Sequence, residues 1–385
     1  MVKLAYLVPY TAIPSRLASS VHIMKMCDAY VETGIVIPSL FVSKGNEAFE
    51  ISKVFDHYHL NHSFKIYRHI FSNNKVFRIG YFFFVLPILI KVKRFDVVHT
   101  RNLSIAYGCS VLFRIPTILE LHDSPGSNER TISIFEKCVK SANLKLIIVI
   151  TKSLESHIRE LVPFVESKLL VLPDGVSEKS LAFNSTKAFE KESLGISYEF
   201  ICVYTGHLYK GRGIEFIIKL AKSSPDLGFF IVGGNDSHVN FYKELSSGMS
   251  NIFFMGFMNQ ELVLKYQKSA DVLLMPYENE VLVAGSRGNS TASYASPLKM
   301  FEYMATGSPI VSSQLPVLSE ILSDGENAIM LPYGDLVAWL NAIRKIQAFP
   351  NFGRQLADKA RRDVSNFTWE KRAKKITTIL NSLKL

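Results

Sequence analysis

Residues 296–311 read Ser-Pro-Leu-Lys-Met-Phe-Glu-Tyr-Met-Ala-Thr-Gly-Ser-Pro-Ile-Val, and this run predicts a helix followed by a strand. Ser296 is a good N-cap, Pro297 suits a first helical position, and Gly307 supplies a stop. Residues 200–213, Phe-Ile-Cys-Val-Tyr-Thr-Gly-His-Leu-Tyr-Lys-Gly-Arg-Gly, give the converse order of strand, Gly-rich loop and helix. Working outward from these two units, short β-branched or aromatic runs alternate with helical patterns along most of the chain. That alternation is the signature of βαβ units and parallel sheets, so the expected class is α/β.

In the first half the expected strands are Lys3–Val8, Ile35–Val42, Phe64–Ile70, Val97–Thr100, Thr117–Leu121, Leu146–Ile150 and Leu169–Leu172. Helical patterns lie between them at Ser19–Thr33, Val76–Lys93, Ser104–Phe113 and Lys152–Leu161. Pro173-Asp174-Gly175 is a turn signal. Strands are expected again at Phe200–Tyr204, Gly228–Val232, Ile252–Met255, Val272–Pro276, Pro309–Ser312 and Ala328–Leu331, with helices at Gly213–Lys222, Phe241–Ser246, Asn259–Ser269, Pro297–Ala305, Leu315–Leu322 and Leu336–Gln347. The expected organisation is a domain over 1–175, a second over 176–365, and a C-terminal helix over 366–385 that packs back on the first. Two such domains would face each other across a cleft, with functional residues in loops after strands.

Composition narrows the class. The chain has 385 residues, 48% hydrophobic and 20% charged, without long biased tracts, which excludes disordered and fibrous proteins. Cys27, Cys109, Cys138 and Cys202 are widely spaced and form no C-x-x-C pair, so a reducing cytosol fits better than a disulfide framework. The N-terminus reads as a first strand rather than a signal peptide. The apolar run Tyr81 to Ile90 is about half of the ~20 residues a spanning helix needs.

Four loops carry candidate chemistry. At the helix beginning near Ser296, free N–H groups and Lys299 suit a phosphate, and Glu302 lies one turn on, within reach of ribose hydroxyls. The competing reading is a capped surface helix with an i,i+3 pair. Gly206 to Gly213 outlines a diphosphate cradle with His207, Lys210 and Arg212, or else a solvated turn. His122 and Asp123 end a strand, where His122 could hydrogen-bond a sugar hydroxyl and Asp123 hold it or accept a proton, or where Asp-Ser-Pro is only a turn. Thr11 to Ser20, with Arg16, Ser19 and Ser20, would let an acceptor or phosphate sit against backbone N–H groups. No G-x-G-x-x-G, Walker A, G-x-S-x-G or H-E-x-x-H sequence is present, which removes support for dehydrogenase, NTPase, serine-hydrolase and zincin readings. His57, His59 and His62 fit an exposed loop better than a metal site, and no Asp-x-Asp pair is present to hold a divalent ion.

The order and spacing of nine segments then identify a likeness: PSRLASSVHIMKMCDAY (14–30), FDVVHTRN (95–102), LELHD (119–123), VITKSLESHI (149–158), LLVLPDGVS (169–177), YTGHLYKGRG (204–213), FFIVGG (229–234), ADVLLMPY (270–277) and the opening stretch. The chain resembles glycosyltransferase family 4, the retaining nucleotide-sugar enzymes of GT-B fold, over nearly its whole length. The resemblance implies two Rossmann-like domains, a donor held mainly by the second and an acceptor mainly by the first. It places the diphosphate at His207 and Arg212, with Lys210, Ser296 and Lys299 sharing the load, the ribose at Glu302, and His122 beside the transferred sugar. It also implies metal-independent, front-face displacement with retention, no cofactor, and a glycan or lipid-linked acceptor in bacterial surface polysaccharide assembly. One departure is Tyr294, which stands where the family often has a first glutamate. A catalytically altered or non-catalytic sugar-binding protein therefore stays open, as does a nucleotide-sugar epimerase or hydrolase.

Charge points to a further partner. The net charge is +10, of which residues 1–180 carry +7. Between His57 and Phe95 there is no acid, while Lys65, Arg68, Lys75, Arg78, Lys91, Lys93 and Arg94 are interleaved with aromatics. The expectation is a cytoplasmic protein docking peripherally on an anionic membrane face through residues 57–95. The alternative is a buried crossover helix with a basic end. No nucleic-acid-binding motif is present.

Overall fold

The computed structural model describes all residues except 16, 45–49, 70–73, 82–84, 127, 183–184, 280–292 and 384–385. The chain divides into two compact units, Met1–Asp174 with Trp369–Leu385, and Gly175–Thr368.

The first unit is built on β1 (Val2–Ile13), β2 (Val36–Lys44), β3 (Lys65–His69), β4 (Val97–Thr100), β5 (Thr117–Leu121), β6 (Leu144–Val149) and β7 (Leu169–Val171). They form one parallel sheet in the order β3-β2-β1-β4-β5-β6-β7. The second unit has β8 (Ile201–Thr205), β9 (Gly228–Val232), β10 (Ile252–Gly256), β11 (Val272–Met275), β12 (Ile310–Ser313) and β13 (Ile329–Leu331), also all parallel, in the order β10-β9-β8-β11-β12-β13. Both sheets reverse their winding beside their first strand, between β1 and β4 and between β8 and β11. Loops after those strands diverge and leave a crevice at the carboxyl edge.

Parallel strands need helical crossovers and so become covered on both faces. Every residue of β4, β5, β8, β9, β11 and β12 is buried. Strand periodicity sorts the second core into two layers. Ile201, Val203, Leu273 and Met275 join the helix Leu298–Thr306 on one face, whereas Cys202, Tyr204, Val272 and Leu274 join Ile217, Leu220 and Trp339 on the other. Trp339 is fully buried, meets Phe216 edge-on at 5.4 Å, and donates Nε1–H to the Pro332 carbonyl at 3.0 Å.

The helices differ from the expected pattern in two places. Of the expected helix Val76–Lys93, Lys75–Gly80 and Leu86–Val92 are helical, and residues 82–84 lie outside the described residues. Leu315–Leu322 forms turns, because Pro316 lacks an amide donor, and short bonds such as Leu318 N–H to the Leu315 carbonyl at 3.0 Å replace a regular ladder. Glu129–Lys140 is a helix that the pattern did not announce, capped by the Asn128 side chain accepting from the Thr131 amide.

The last helix, Trp369–Ser382, belongs to the first unit although the chain before it belongs to the second. It packs against the helix Ala18–Glu32 and buries Trp369, Arg372, Ala373, Ile376 and Leu380, one stripe at helical spacing. Leu86–Val92 is two-faced in another sense: Leu86, Pro87 and Ile90 are buried, while Val85, Ile88 and Val92 are exposed. Among the described residues no helix is long and apolar enough to cross a membrane.

Trp339→Ala should destabilise the second unit by about 3–5 kcal/mol, the cost of emptying a large aromatic site. Trp339→Phe should cost less, leaving mainly the unpaired Pro332 carbonyl. Urea titration of both variants checks the order.

Candidate functional site

In the second unit, β8 delivers the loop 206–213 and β11 delivers Pro276 and Tyr277 to the same edge of the sheet. Gly213 has φ 76° and caps the following helix, Ile214–Lys222. A Cβ there would lie 1.9 Å from the Pro276 carbonyl oxygen, so only glycine lets these two loops meet. Gly206, with φ 130°, has a similar role: a Cβ would fall 2.9 Å from Lys299 Nζ. The loop backbone and the lysine are therefore in direct contact.

Lys299 is buried at 9% exposure, and its Nζ has no hydrogen-bond partner among the described residues. It lies 3.7 Å from the Tyr204 ring centroid and 5.2 Å from that of Tyr277. The Arg212 guanidinium stands 4.7 Å over the same Tyr277 ring, with its Nε buried. Aromatic faces stabilise both cations in part. Burial, reinforced by Arg212 and opposed by Glu302, still pushes the Lys299 pKa well below its ordinary value. Two buried positive groups held together by rings rather than carboxylates are electrostatically incomplete. An anion would complete them.

His207 is stacked on Tyr209, with ring centroids 5.0 Å apart. Burial and the Arg212 and Lys299 charges push its pKa down to about 4, so at neutral pH it is an uncharged imidazole. Lys210 is exposed in the same loop. Glu302 is half-buried one turn beyond Lys299 and accepts from Gln267 Nε2 at 3.4 Å, while the same amide nitrogen donates to Thr205 Oγ1 at 2.9 Å. The helix starts one residue later than expected. Pro297, at ψ 124°, occupies the cap position, and Ser296 lies outside it, half-buried. Lys299, Glu302, His207 and Arg212 all belong to the second unit.

In the first unit, His122 follows β5 and Asp123 is beside it. Asp123 Oδ1 accepts from the Ser124 amide at 2.8 Å. His122 Nε2 is 2.6 Å from Glu120 Oε1, and that oxygen is also 2.8 Å from His22 Nε2 and 3.1 Å from Arg372 Nη2. Glu120 Oε2 is 3.0 Å from His99 Nε2, and His22 Nδ1 is 2.9 Å from Asp174 Oδ1. Burial alone would raise the Glu120 pKa, but Arg372, His22 and the His122 bond hold it well below the usual range. Burial, with Arg101 nearby, pushes His122 down to about 4.

His22, His122 and Asp174 lie close enough to hold a metal ion. The donor set fits an ion-pair cluster better. His22 Nδ1 faces Asp174, both Nε2 atoms face Glu120, and the Arg372 guanidinium already supplies the positive charge. His62 is likewise paired, its Nδ1 3.0 Å from Asp28 Oδ1.

The loop after β1 is partly different from expectation. Arg16 lies outside the described residues. Ser19 is half-buried, whereas Ser20 is fully buried and its hydroxyl donates to the Leu17 and Ser15 carbonyls, 2.7 and 2.8 Å away. Its oxygen therefore serves the turn into the helix. Sequence reasoning did not single out His22, His99, Glu120, Asp174, Arg372 or Tyr277. One signal was available: Glu120 stands in the strand Thr-Ile-Leu-Glu-Leu, where burial on both faces obliges a carboxylate to find partners.

Residues 199–348 match the family model described as Glycosyl transferases group 1. An uncharacterized glycosyltransferase of Methanocaldococcus jannaschii is 22% identical over 76% of each chain. Further curated relatives are matched over 42% and 57% of their own length. Among solved structures, a glycosyltransferase from Rickettsia africae superposes with a TM-score of 0.78 at 14% identity, covering 99% of this chain and 98% of that one. An Anabaena protein, HepE, solved with UDP and glucose, gives 0.72 at 15%, covering 99% and 100%. With the two parallel sheets, these likenesses show the fold to be GT-B.

Stability should fall on acidification. His122 and His207 have folded pKa values near 4 against 6.5 when unfolded, so the unfolded chain binds more protons between those values. Their contribution is complete above about pH 6.5 and is lost as pH falls toward 4. Glu120 and Asp174 add a loss only below the ordinary carboxylate range. The unfolding temperature should drop between pH 7 and 4.5, and His207→Asn should flatten that slope.

Proposed function

We propose that this protein is a retaining, metal-independent glycosyltransferase that moves a sugar from a nucleotide-diphosphate donor to a glycan or lipid-linked acceptor of surface polysaccharide. The observation that carries the reading is the Lys299–Arg212 pair, two buried cations beside a glycine loop at the winding reversal of the second sheet. A donor diphosphate supplies the missing negative charge, and Glu302 takes ribose hydroxyls. The match of residues 199–348 to glycosyl transferases group 1, and the UDP and glucose bound by the Anabaena protein, support the same assignment.

As the glycosidic bond breaks, charge builds on the leaving diphosphate. Lys299 and Arg212, with the amides of Ser296 and Leu298, stabilise it, and a donor of this kind contributes about 3 kcal/mol. His207 adds a neutral hydrogen bond rather than a charge. In the first unit, His122 contacts the transferred sugar with Asp123 beside it, while Ser19 and Ser20 border the acceptor through their backbone. The cations take the part that a divalent ion plays in other transferases. Tyr294 in place of a glutamate favours no second reading on an observation of its own.

A panel of UDP-, GDP- and ADP-sugars, with and without lipid-linked acceptor, tests this. Transfer with retained anomeric configuration, lost in Arg212→Ala and Glu302→Ala while the protein stays folded, is the expected result. Near-normal transfer by either variant would reject the site.

The reading includes docking on an anionic leaflet. Val76, Phe77, Val85, Ile88 and Val92 are exposed apolar groups, and Lys91, Lys93 and Arg94 are exposed beside them. Apolar side chains that enter the headgroups next to cations worth about 1 kcal/mol each favour a lipid surface. Changing Lys91, Lys93 and Arg94 together to Gln should lower co-sedimentation with phosphatidylglycerol-containing vesicles about tenfold or more. Equal binding of the native protein to purely zwitterionic vesicles would exclude this part.

A further inference from the structure

The buried cluster around Glu120 belongs to the first unit, and it is unusual in content. One fully buried carboxylate is approached by three histidines and an arginine. A cluster whose only role was structural could be replaced by apolar residues at little cost. This one ends on His122, whose side chain keeps about 20% exposure while its partners are sealed.

The hydrogen-bond inventory constrains the ring. An ionised carboxylate only accepts, so at 2.6 Å from Glu120 Oε1 the Nε2 of a neutral His122 must carry the proton. Its Nδ1 then carries the lone pair. Glu120 itself is fixed from behind. Arg372 Nη2 donates to Oε1 at 3.1 Å, and Arg372 is anchored by its Nε to the Pro173 carbonyl at 3.1 Å and by Nη2 to the Leu172 carbonyl at 3.3 Å. His99, on the other oxygen, is stacked on Tyr6 at 4.3 Å and meets the Tyr30 hydroxyl at 3.1 Å through Nδ1. His22 is braced by Asp174 and by the edge of Trp369, with ring centroids 5.0 Å apart. Arg372 and Trp369 both come from the last helix, after the whole second unit has been traversed.

We propose that Glu120 and Arg372 are positioning residues: Arg372 pins the Glu120 carboxylate, and Glu120 takes the Nε2–H of His122, presenting Nδ1 as the nitrogen that accepts a hydrogen bond from a sugar hydroxyl. The sugar in that statement rests on the function proposed above, but the tautomer does not. The C-terminal helix thereby sets the chemistry of a residue some 250 positions earlier, and charge and shape at position 372 both matter, since a guanidinium fork holds one oxygen and two carbonyls at once.

The test uses the full-length protein labelled with 15N-histidine. At pH 7 the His122 ring, assigned by its loss in His122→Asn, should show a protonated Nε2 and a bare Nδ1. Glu120→Leu, or Arg372→Met, should turn this into a mixture of tautomers, and Arg372→Lys should restore the native signal only in part. With the donor that the panel identifies, Glu120→Gln should lower kcat about 10- to 100-fold with KM changed less than about twofold, and binding of UDP as a probe should be unaltered. A native His122 protonated on Nδ1, or a Glu120→Gln enzyme with unchanged kcat, would overturn the proposal. If no donor is turned over, the proposed function fails while the tautomer measurement still decides the inference. If Arg372→Met does not fold, Arg372→Lys and Glu120→Gln carry the test.

Discussion

A parallel strand can only be followed by another through a crossover, and where the direction of winding changes the crossovers part to opposite faces of the sheet. Each unit changes direction once, beside β1 and beside β8. The backbone there has no neighbouring connection to cover it, so loops and side chains at the carboxyl edge are available for chemistry. The Lys299–Arg212 pair lies at one such place. In the first unit β1, β4 and β5 contribute Tyr6, His99 and Glu120 to the charged cluster beneath the other.

The two clusters solve the burial of charge differently. In the first unit Glu120 and Asp174 meet Arg372 and histidine nitrogens, so each carboxylate has partners supplied by the protein itself. In the second unit Lys299 and Arg212 share aromatic faces but lack a carboxylate at contact distance among the described ion pairs. The first arrangement fixes geometry. The second leaves a free-energy deficit that an incoming diphosphate can relieve, which turns desolvation already present in the unbound protein into affinity for the ligand.

Much of the fold was legible because parallel strands are short, apolar and bounded. Thr117–Leu121 and Gly228–Val232 coincide with their expected limits. Helices were harder where polar residues dominate, as in Glu129–Lys140, or where a proline sits within an apolar pattern, as in Leu315–Leu322. Among site residues, those in one loop or one helix turn, such as His207 with Arg212 or Lys299 with Glu302, are juxtaposed by local geometry that the spacing already states. Ser20 shows the limit of that logic: its residue type suits a ligand loop, yet the helix entry uses its hydroxyl.

The sequence by itself determined the α/β class, the strand order of events along the chain, and the cation-bearing loop and helix start of the second unit, because each is set by contacts within a few residues. Only the tertiary structure decided that Lys299 loses its solvent, that His207 is neutral, and that Glu120 and His122 join His22, His99 and Arg372 from four separate segments. Burial and long-range pairing depend on how sheets and helices close over one another, and a protonation state follows from that closure rather than from the residue's identity.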